Sequence, residues 1–307
     1  APAAGVLMET EIWPNLLAVA ARHGVPVLLA NARLSERSRQ RGARVDALLR
    51  PAFASLAAAL AQTDADAARL REAGVRDVRV VGNLKYDLAP DPRLLERGQA
   101  WRACLARSVV LAASTREGEE EALLAAWREQ ALPRPLLVVV PRHPQRFDAV
   151  AETVAEAGLT MSRRSTWSDD TPAAEASAVD VWLGDSMLEM PAWYALGDVA
   201  LLGGSFAPFG GQNLIEAAAC GCPLVLGPHT FNFSDAAELA IAAGAATRVA
   251  DIVAGVAAAV ALVPPAATGE RARRSAAALA FAGAHRGAAA RMAKRILDVA
   301  ERAAERR

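Results

Sequence analysis

The sequence predicts an α/β protein made of two doubly wound domains that face each other. Three observations carry this. Short apolar runs alternate with helical stretches, and the alternation occurs twice over. A stretch rich in Pro, Asp and Arg, residues 87–97, separates the two series and reads as the domain linker. Glu9, Lys85, Ser114, Arg142, Met187 and Gly204 each follow an apolar run. In an open parallel sheet that is the carboxyl end of a strand, where ligands bind. Residues 1–90 then form the first domain, 91–270 the second, and 271–307 a C-terminal helix.

The elements follow in order. Ala4–Met8 reads as a buried strand. Pro14 sits in the first turn of a helix reaching His23, where its missing N–H costs little, and Gly24 ends it. Pro26–Ala30 is a short apolar strand of the parallel-sheet kind. Residues 43–61 read as helix and then strand, with the strand in 55–62. Thr63 is an N-cap for 64–73, and Gly74 closes that helix. Val78–Val81 is a strand. After the linker, Val109–Ala113 is a strand, and Ser114 begins a helix to about Gln130 with capping-box chemistry. Leu136–Val140 is a strand, 146–157 a helix, and 162–178 a polar surface loop. Val179–Leu183 is a strand. Residues 235–243 and 252–262 are helices, and 271–307 is a long Ala/Arg helical tail.

The chain is organised around residues 201–233, LLGGSFAPFGGQNLIEAAACGCPLVLGPHTFNF. A strand stops at Gly203-Gly204, a second glycine pair follows at 210–211, and a small-residue helix runs from about Gln212 to Gly221 before the next strand. Amides at such a helix start favour an anion, and glycine lets a ligand approach the backbone. Glu216, one turn in, is placed to hydrogen-bond ribose hydroxyls. The competing reading is a tight strand–helix turn without a ligand; Asn213, Glu216 and the following GPHTFNF loop favour a nucleotide site.

Composition narrows the classes. At 307 residues the chain has room for two cores, and 53% hydrophobic against 22% charged residues marks a globular chain. The formal net charge is zero, so nothing points to a nucleic-acid binder. Cys104, Cys220 and Cys222 form no zinc pattern and read as reduced thiols in a cytosolic setting. No apolar run approaches the roughly 20 residues that span a bilayer, and no signal peptide is visible. The chain enters a strand-like run without an initiator Met, which reads as a piece cut from a longer protein.

Several residues have both a chemical and a structural reading. Glu9 sits at a strand end and could face the cleft, or serve with Glu11 in the first turn of a helix. The polar loop from Asn31 to Ser38 could bind an acidic or sugar acceptor, or be a solvated turn. Lys85 is one of two lysines in an Arg-dominated chain, which suggests a need for a compact ammonium; a surface lysine is the alternative. Arg142, between two nearby prolines, suits phosphate or carboxylate, while His143 reads as structural. The GDSM loop at 184–187 offers amides to a base or phosphate, or is a plain turn. His229 lies in a loop that could close the cleft. There is no Ser-His-Asp order, no Walker motif and no metal-ligand cluster.

The runs METEIWPN, NARLSERS, GNLKYD, STREGEEE, PRHPQRF, LGDSMLEM and the 201–233 stretch closely resemble bacterial 3-deoxy-D-manno-octulosonic acid (Kdo) transferases, lipid A-specific glycosyltransferases. The resemblance covers Met8 to about Gly244. It implies a GT-B fold, two Rossmann-like domains around a cleft, with the N-terminal one incomplete here. It implies transfer of Kdo from CMP-Kdo to a lipid A precursor, in lipopolysaccharide core biosynthesis, with inversion and without a metal or cofactor. Pro141, Arg142, Met187, Leu188, Glu189, Asn213, Leu214, Ile215 and Glu216 would hold CMP, and Glu9 and Lys85 would stabilise the transition state. The family's general base, a Glu in a Ser-Val-Gly-Glu-like loop, and its membrane-anchoring segment match no part of this chain. The implied partners are CMP-Kdo, the lipid acceptor and the cytoplasmic face of the inner membrane, with no nucleic acid. The chain departs from the family at Gln212 (usually His), Leu214 (often Pro), Leu188 (Gly) and Arg116 (often His). Another GT-B nucleotide-sugar enzyme, or an inactive nucleotide-binding remnant, are the alternatives.

Overall fold

A computed structural model describes residues 2–36, 46–168, 171–172 and 174–305. Arg37 and Ser38 of the polar loop, and residues 43–45 of the expected helix, lie outside the described residues. Contacts divide the chain into one unit of Ala1–Leu88 with His285–Arg307 and a second of Ala89–Ala284.

The first unit contains β1 (Gly5–Met8), α1 (Pro14–Arg22), β2 (Val27–Ala32), α2 (Asp46–Ser55), β3 (Ala58–Ala61), α3 (Asp64–Glu72) and β4 (Val78–Val80). Its four strands are parallel and stand in sequence order. Local chemistry sets the boundaries. Pro14 occupies the first turn of α1, and Thr63 Oγ1 accepts the Asp66 N–H at 3.1 Å to start α3. Alanines make up three of the four residues of β3, and α1, α2 and α3 pack Leu17, Phe53 and Leu70 against the strands, joined by Leu56 just past α2.

The tail is not one helix. It divides into Thr268–Ala284, which belongs to the second unit, and Ala288–Glu305, which belongs to the first. The physical reason is a cap supplied from far away in sequence: the Asp87 carboxylate accepts the N–H groups of Gly287 and Ala289. His285 stacks on Tyr86 with ring centroids 4.8 Å apart. Met292 and Ile296 of the terminal helix then pack on Ala30, Leu60 and Val81.

The second unit contains α4 (Pro92–Ala103), β5 (Val109–Thr115), α5 (Glu119–Arg128), β6 (Leu136–Pro141), α6 (Phe147–Glu156), β7 (Met161–Arg163), β8 (Val181–Leu183), α7 (Met190–Leu196), β9 (Val199–Leu202), α8 (Leu214–Ala219), β10 (Leu224–Leu226), α9 (Ser234–Ala242), β11 (Ala246–Arg248), α10 (Ile252–Leu262) and α11 (Thr268–Ala284). Its seven strands are parallel, in the order β11-β10-β9-β5-β6-β8-β7. The chain starts in the middle at β5, builds outward on one side, then returns to build from β9 on the other. The order therefore reverses between β5 and β9, and a crevice opens at their carboxyl ends.

Both faces of this sheet are covered, which explains its uninterrupted apolar strands. On one face Leu123, Leu124 and Trp127 of α5 and Val256 of α10 pack on Val110, Leu137 and Val199. On the other, α4 and α7 touch backbone to backbone: a Cβ on Gly98 would lie 2.1 Å from the Ala192 oxygen. Trp101, Trp167, Trp182 and Trp193 form a cluster there, with centroids 4.8–6.0 Å apart. Each such side chain, fully buried, contributes roughly 2–3 kcal/mol of transfer free energy.

Four expectations change. Asp91 caps α4 at Pro92, so half of the proposed linker is helix. The helix after β5 starts at Glu119, not Ser114, because Gly118 at φ +81° turns the chain first and no side chain caps it. The described residues of 162–178 are not all surface loop: Arg164 and Trp167 are buried, and residues 161–163 add an edge strand, while 169, 170 and 173 lie outside the described residues. The three-residue strand β11 is too short to register as a periodic pattern.

Candidate functional site

A cavity of about 400 Å³ lies in the second unit, within the range of small-ligand pockets. Ser114 near the end of β5, Pro141 at the end of β6 and Arg142 just after it, residues 186–190 after β8, and Gln212, Asn213 and Glu216 after β9 line it, with Trp193 and Tyr194 among its walls. It therefore spans the reversal point of the sheet. Among the described residues, four non-glycine residues have positive φ: Glu9 (+57°), Asn31 (+48°), Ser114 (+56°) and Leu188 (+65°). All four sit at or just beyond strand ends, where strain is held in place by the surrounding bonds.

The structure brings together Pro141, Arg142, Met187, Leu188, Glu189, Asn213 and Glu216. Arg142 is exposed, its N–H is held by the Thr115 oxygen at 3.0 Å, and no described residue pairs with its guanidinium. Glu216 faces the same cavity; burial raises its carboxyl above the usual range, and the Arg142 charge pulls it part of the way back. Leu188 is 88% exposed and Met187 47%, so an apolar lip borders the pocket.

Two of the named residues turn their side chains away from the cavity. The side chains of Leu214 and Ile215 are fully buried in the core, and the Ile215 N–H is given to Asn213 Oδ1 at 3.1 Å. A third has a different part. The Glu189 carboxylate accepts from Arg97 at 2.7 Å, from both Arg164 nitrogens at 2.9 and 3.1 Å, and from Ser186. It fixes the pocket wall and has little capacity left for a ligand. Asp185, beside it, is held by Arg163 at 2.7 Å and by Ser165. Burial alone would raise the Asp185 carboxyl, but these donors outweigh it and leave it below the usual range.

The glycine loop is also built differently from a free anion cradle. The N–H groups of Gly204, Phe206 and Ala207 all donate to the buried Glu119 carboxylate. Gly210 and Gly211, at φ +89° and +79°, turn the loop back, and the Gly211 N–H closes it on the Gly204 oxygen at 2.7 Å. The 227–233 loop packs on this one through Asn232, which donates to the Phe209 oxygen at 2.9 Å, and His229 does not line the cavity. Sequence reading places Ser186 and Gln212 in loops that could meet a ligand without naming them as contacts, and it misses Trp193 and Tyr194 as wall residues and Glu119 and Arg164 as supports. The adjacent acidic run at 119–121 was the one available signal.

Glu9 and Lys85 belong to the first unit. The Glu9 oxygen accepts the Arg33 N–H at 3.2 Å, and Asn31 Oδ1 accepts the Leu84 N–H at 3.1 Å. Gln62 donates to the Asn31 oxygen and Asn83 to Gln62. These bonds tie the ends of all four strands together and set Glu9 and Lys85 on one rim.

A family model described as 3-deoxy-D-manno-octulosonic-acid transferase (kdotransferase) matches residues 1–88. The chain is 50% identical over 256 residues to a 3-deoxy-D-manno-octulosonic acid transferase of Bordetella pertussis, covering 82% of this chain and 59% of that protein. It is 31% identical to the crystal structure of the C-terminal CMP-Kdo binding domain of WaaA from Acinetobacter baumannii, with a TM-score of 0.56, over 62% of this chain and 98% of that one. The chain belongs to the Kdo transferase family. Its parallel α/β units are those of GT-B glycosyltransferases. A trehalose 6-phosphate synthase from Burkholderia multivorans, 13% identical with a TM-score of 0.52, shares the fold over 98% of this chain. The chain spans 59% of the length of the Bordetella Kdo transferase. Among the described residues no single helix is long and apolar enough to cross a membrane, and no group of three or more His, Cys, Asp or Glu converges as metal ligands do.

Proposed function

We propose that this chain carries the donor-binding part of a Kdo transferase that moves Kdo from CMP-Kdo to a lipid A precursor. The observation that supports it most is the cavity at the β5–β9 reversal, which gathers seven of the nine residues that the family resemblance assigns to CMP. The name of the Acinetobacter relative, a CMP-Kdo binding domain, points the same way.

In this reading CMP lies in the cavity of the second unit. Met187 and Leu188 supply an apolar surface for the base, and Glu216 accepts from ribose hydroxyls. Arg142 holds the phosphate. A lipid hydroxyl attacks the anomeric carbon of Kdo while the bond from that carbon to the phosphate oxygen breaks, with inversion. The phosphate leaves with the electron pair, and Arg142, already fixed beside it by the β5–β6 backbone bond, meets the growing charge. Preorganised charge of this kind is commonly the largest catalytic contribution. Glu9 and Lys85, on the rim of the first unit, are assigned to transition-state stabilisation. The base that takes the hydroxyl proton is assigned to no residue of this chain. The reading needs no metal and no cofactor, and it places the enzyme at the cytoplasmic face of the inner membrane, where a CMP-linked donor meets a lipid acceptor.

Calorimetric titration of the full-length protein tests it. CMP should bind at least tenfold more tightly than UMP or UDP, and Arg142→Ala, which removes the phosphate contact, should weaken CMP at least tenfold. Tighter binding of UDP would move the protein to another nucleotide-sugar class.

A further inference from the structure

We propose that Glu119 is a positioning residue: a built-in anion that sets the 203–213 loop and, through it, the wall of the pocket. The inference rests on reading that pocket as the nucleotide site. Glu119 is 4% exposed. Its Oε2 accepts the N–H groups of Arg116 at 2.9 Å and Gly204 at 2.8 Å, and its Oε1 those of Phe206 and Ala207, both at 3.1 Å. An ionised carboxylate has about four acceptor positions, and here two donors meet each oxygen.

The donors come from two different turns. Arg116 lies in the turn after β5, two residues past Ser114. Gly204, Phe206 and Ala207 lie in the loop after β9, which leads to Gln212, Asn213 and Glu216. Glu119 thus joins the two strand ends between which the sheet reverses. The coupling continues to the cavity: the Gly204 oxygen holds the Gly211 N–H, and Gln212 Nε2 lies 3.1 Å from where a Cβ on Gly204 would stand. Moving Gly204 moves the residues that line the wall.

The neighbouring Glu120 provides the comparison. It is equally buried, at 2% exposure, but both its oxygens face the Arg146 guanidinium, at 2.6 and 3.1 Å, and among the described residues no hydrogen bond joins its side chain to the loop after β9. If burial of a carboxylate were all that mattered, the two would be equivalent.

Glutamine separates the roles. It keeps the shape of Glu119 but turns one oxygen into an N–H₂ that faces two N–H donors. In the full-length protein, amide exchange should show Gly204, Phe206 and Ala207 strongly protected. Glu119→Gln should speed their exchange at least tenfold, weaken CMP at least tenfold, and raise the donor KM by more than it lowers kcat. Glu120→Gln should leave CMP affinity and loop exchange within twofold of the parent.

Three outcomes overturn the inference. The loop amides of the unsubstituted protein exchange as fast as exposed backbone, a result that needs no variant to fold. Glu119→Gln loosens the loop without weakening CMP. Or both substitutions act alike on loop and ligand. If the unsubstituted protein does not bind CMP at all, the nucleotide reading falls instead, and loop exchange alone then judges Glu119.

Discussion

The loops after β8 and β9 lie side by side at the same pocket and are held in opposite ways. The loop after β8 is held by side-chain charge: Arg163 on Asp185, Arg97 and Arg164 on Glu189, with Arg164 also against the Trp101 and Trp167 rings at 5.2 and 5.3 Å. The loop after β9 is held by its own backbone, folded over glycines and bonded to one carboxylate. The first arrangement tolerates a strained residue, Leu188. The second needs residues without side chains. A loop that must present side chains to a ligand is braced from behind by other side chains, whereas one that must bring a helix start close can be braced through its amides.

The contrast can be broken at several points, beginning with the group that both loops surround. Arg142→Ala removes a guanidinium that no described residue pairs with, and transfer by the full-length enzyme should fall by roughly 10²-fold or more. Steady-state rates with CMP-Kdo measure it, and a loss below threefold would remove Arg142 from the chemistry.

Next in size is the brace behind the β8 loop. Arg164→Met leaves Glu189 with one arginine in a nearly dry site, and denaturant unfolding should show a loss of about 2–4 kcal/mol. Arg164→Lys should restore only part of it, since an ammonium cannot fork across both carboxylate oxygens. A fully stable methionine variant would show that the brace is not needed.

Leu188→Gly should act in the other direction. The left-handed conformation costs a residue with a Cβ roughly 1–2 kcal/mol, and the looser unfolded chain of a glycine variant returns part of this. A gain in melting stability of up to about 1 kcal/mol is expected, and a clear loss would mean that the Leu188 side chain is held by contacts.

The smallest effect is linked to pH. The carboxyl of Glu216 is raised in the fold, so its contribution is present at low pH. It is lost as pH rises from the ordinary carboxylate range through the raised value. Glu216→Gln should therefore melt slightly higher than the parent near pH 7 and equally at pH 4, while binding CMP more weakly. Equal melting at both values would argue that Arg142 cancels the cost of burial.

Much of this could be read from the chain before any coordinates. Short apolar runs between helices predicted the strands, since a parallel strand covered on both faces has no polar side to show. Thr63, Pro14 and Gly24 marked helix ends through chemistry confined to a few residues. Arg142 was proposed because it directly follows an apolar run, and Asn213 and Glu216 because they open the small-residue helix after the glycine pairs; the fold sets all three at one cavity. The side chains of Leu214 and Ile215 turn inward although the motif names them with their neighbours, because a six-residue helix must bury one face.

What only the tertiary structure decided is where distant groups meet. Asp87 breaking the terminal helix, Arg164 reaching Glu189 across 25 residues, and Glu119 taking up the amides of a loop 85 residues away name no partner within their own segments. Sequence fixes periodicity and local caps because those depend on neighbours a turn or a pleat apart. Burial, charge pairing and the capture of amides depend on which strand ends the topology brings together, and that is settled only when the sheet is closed by its helices.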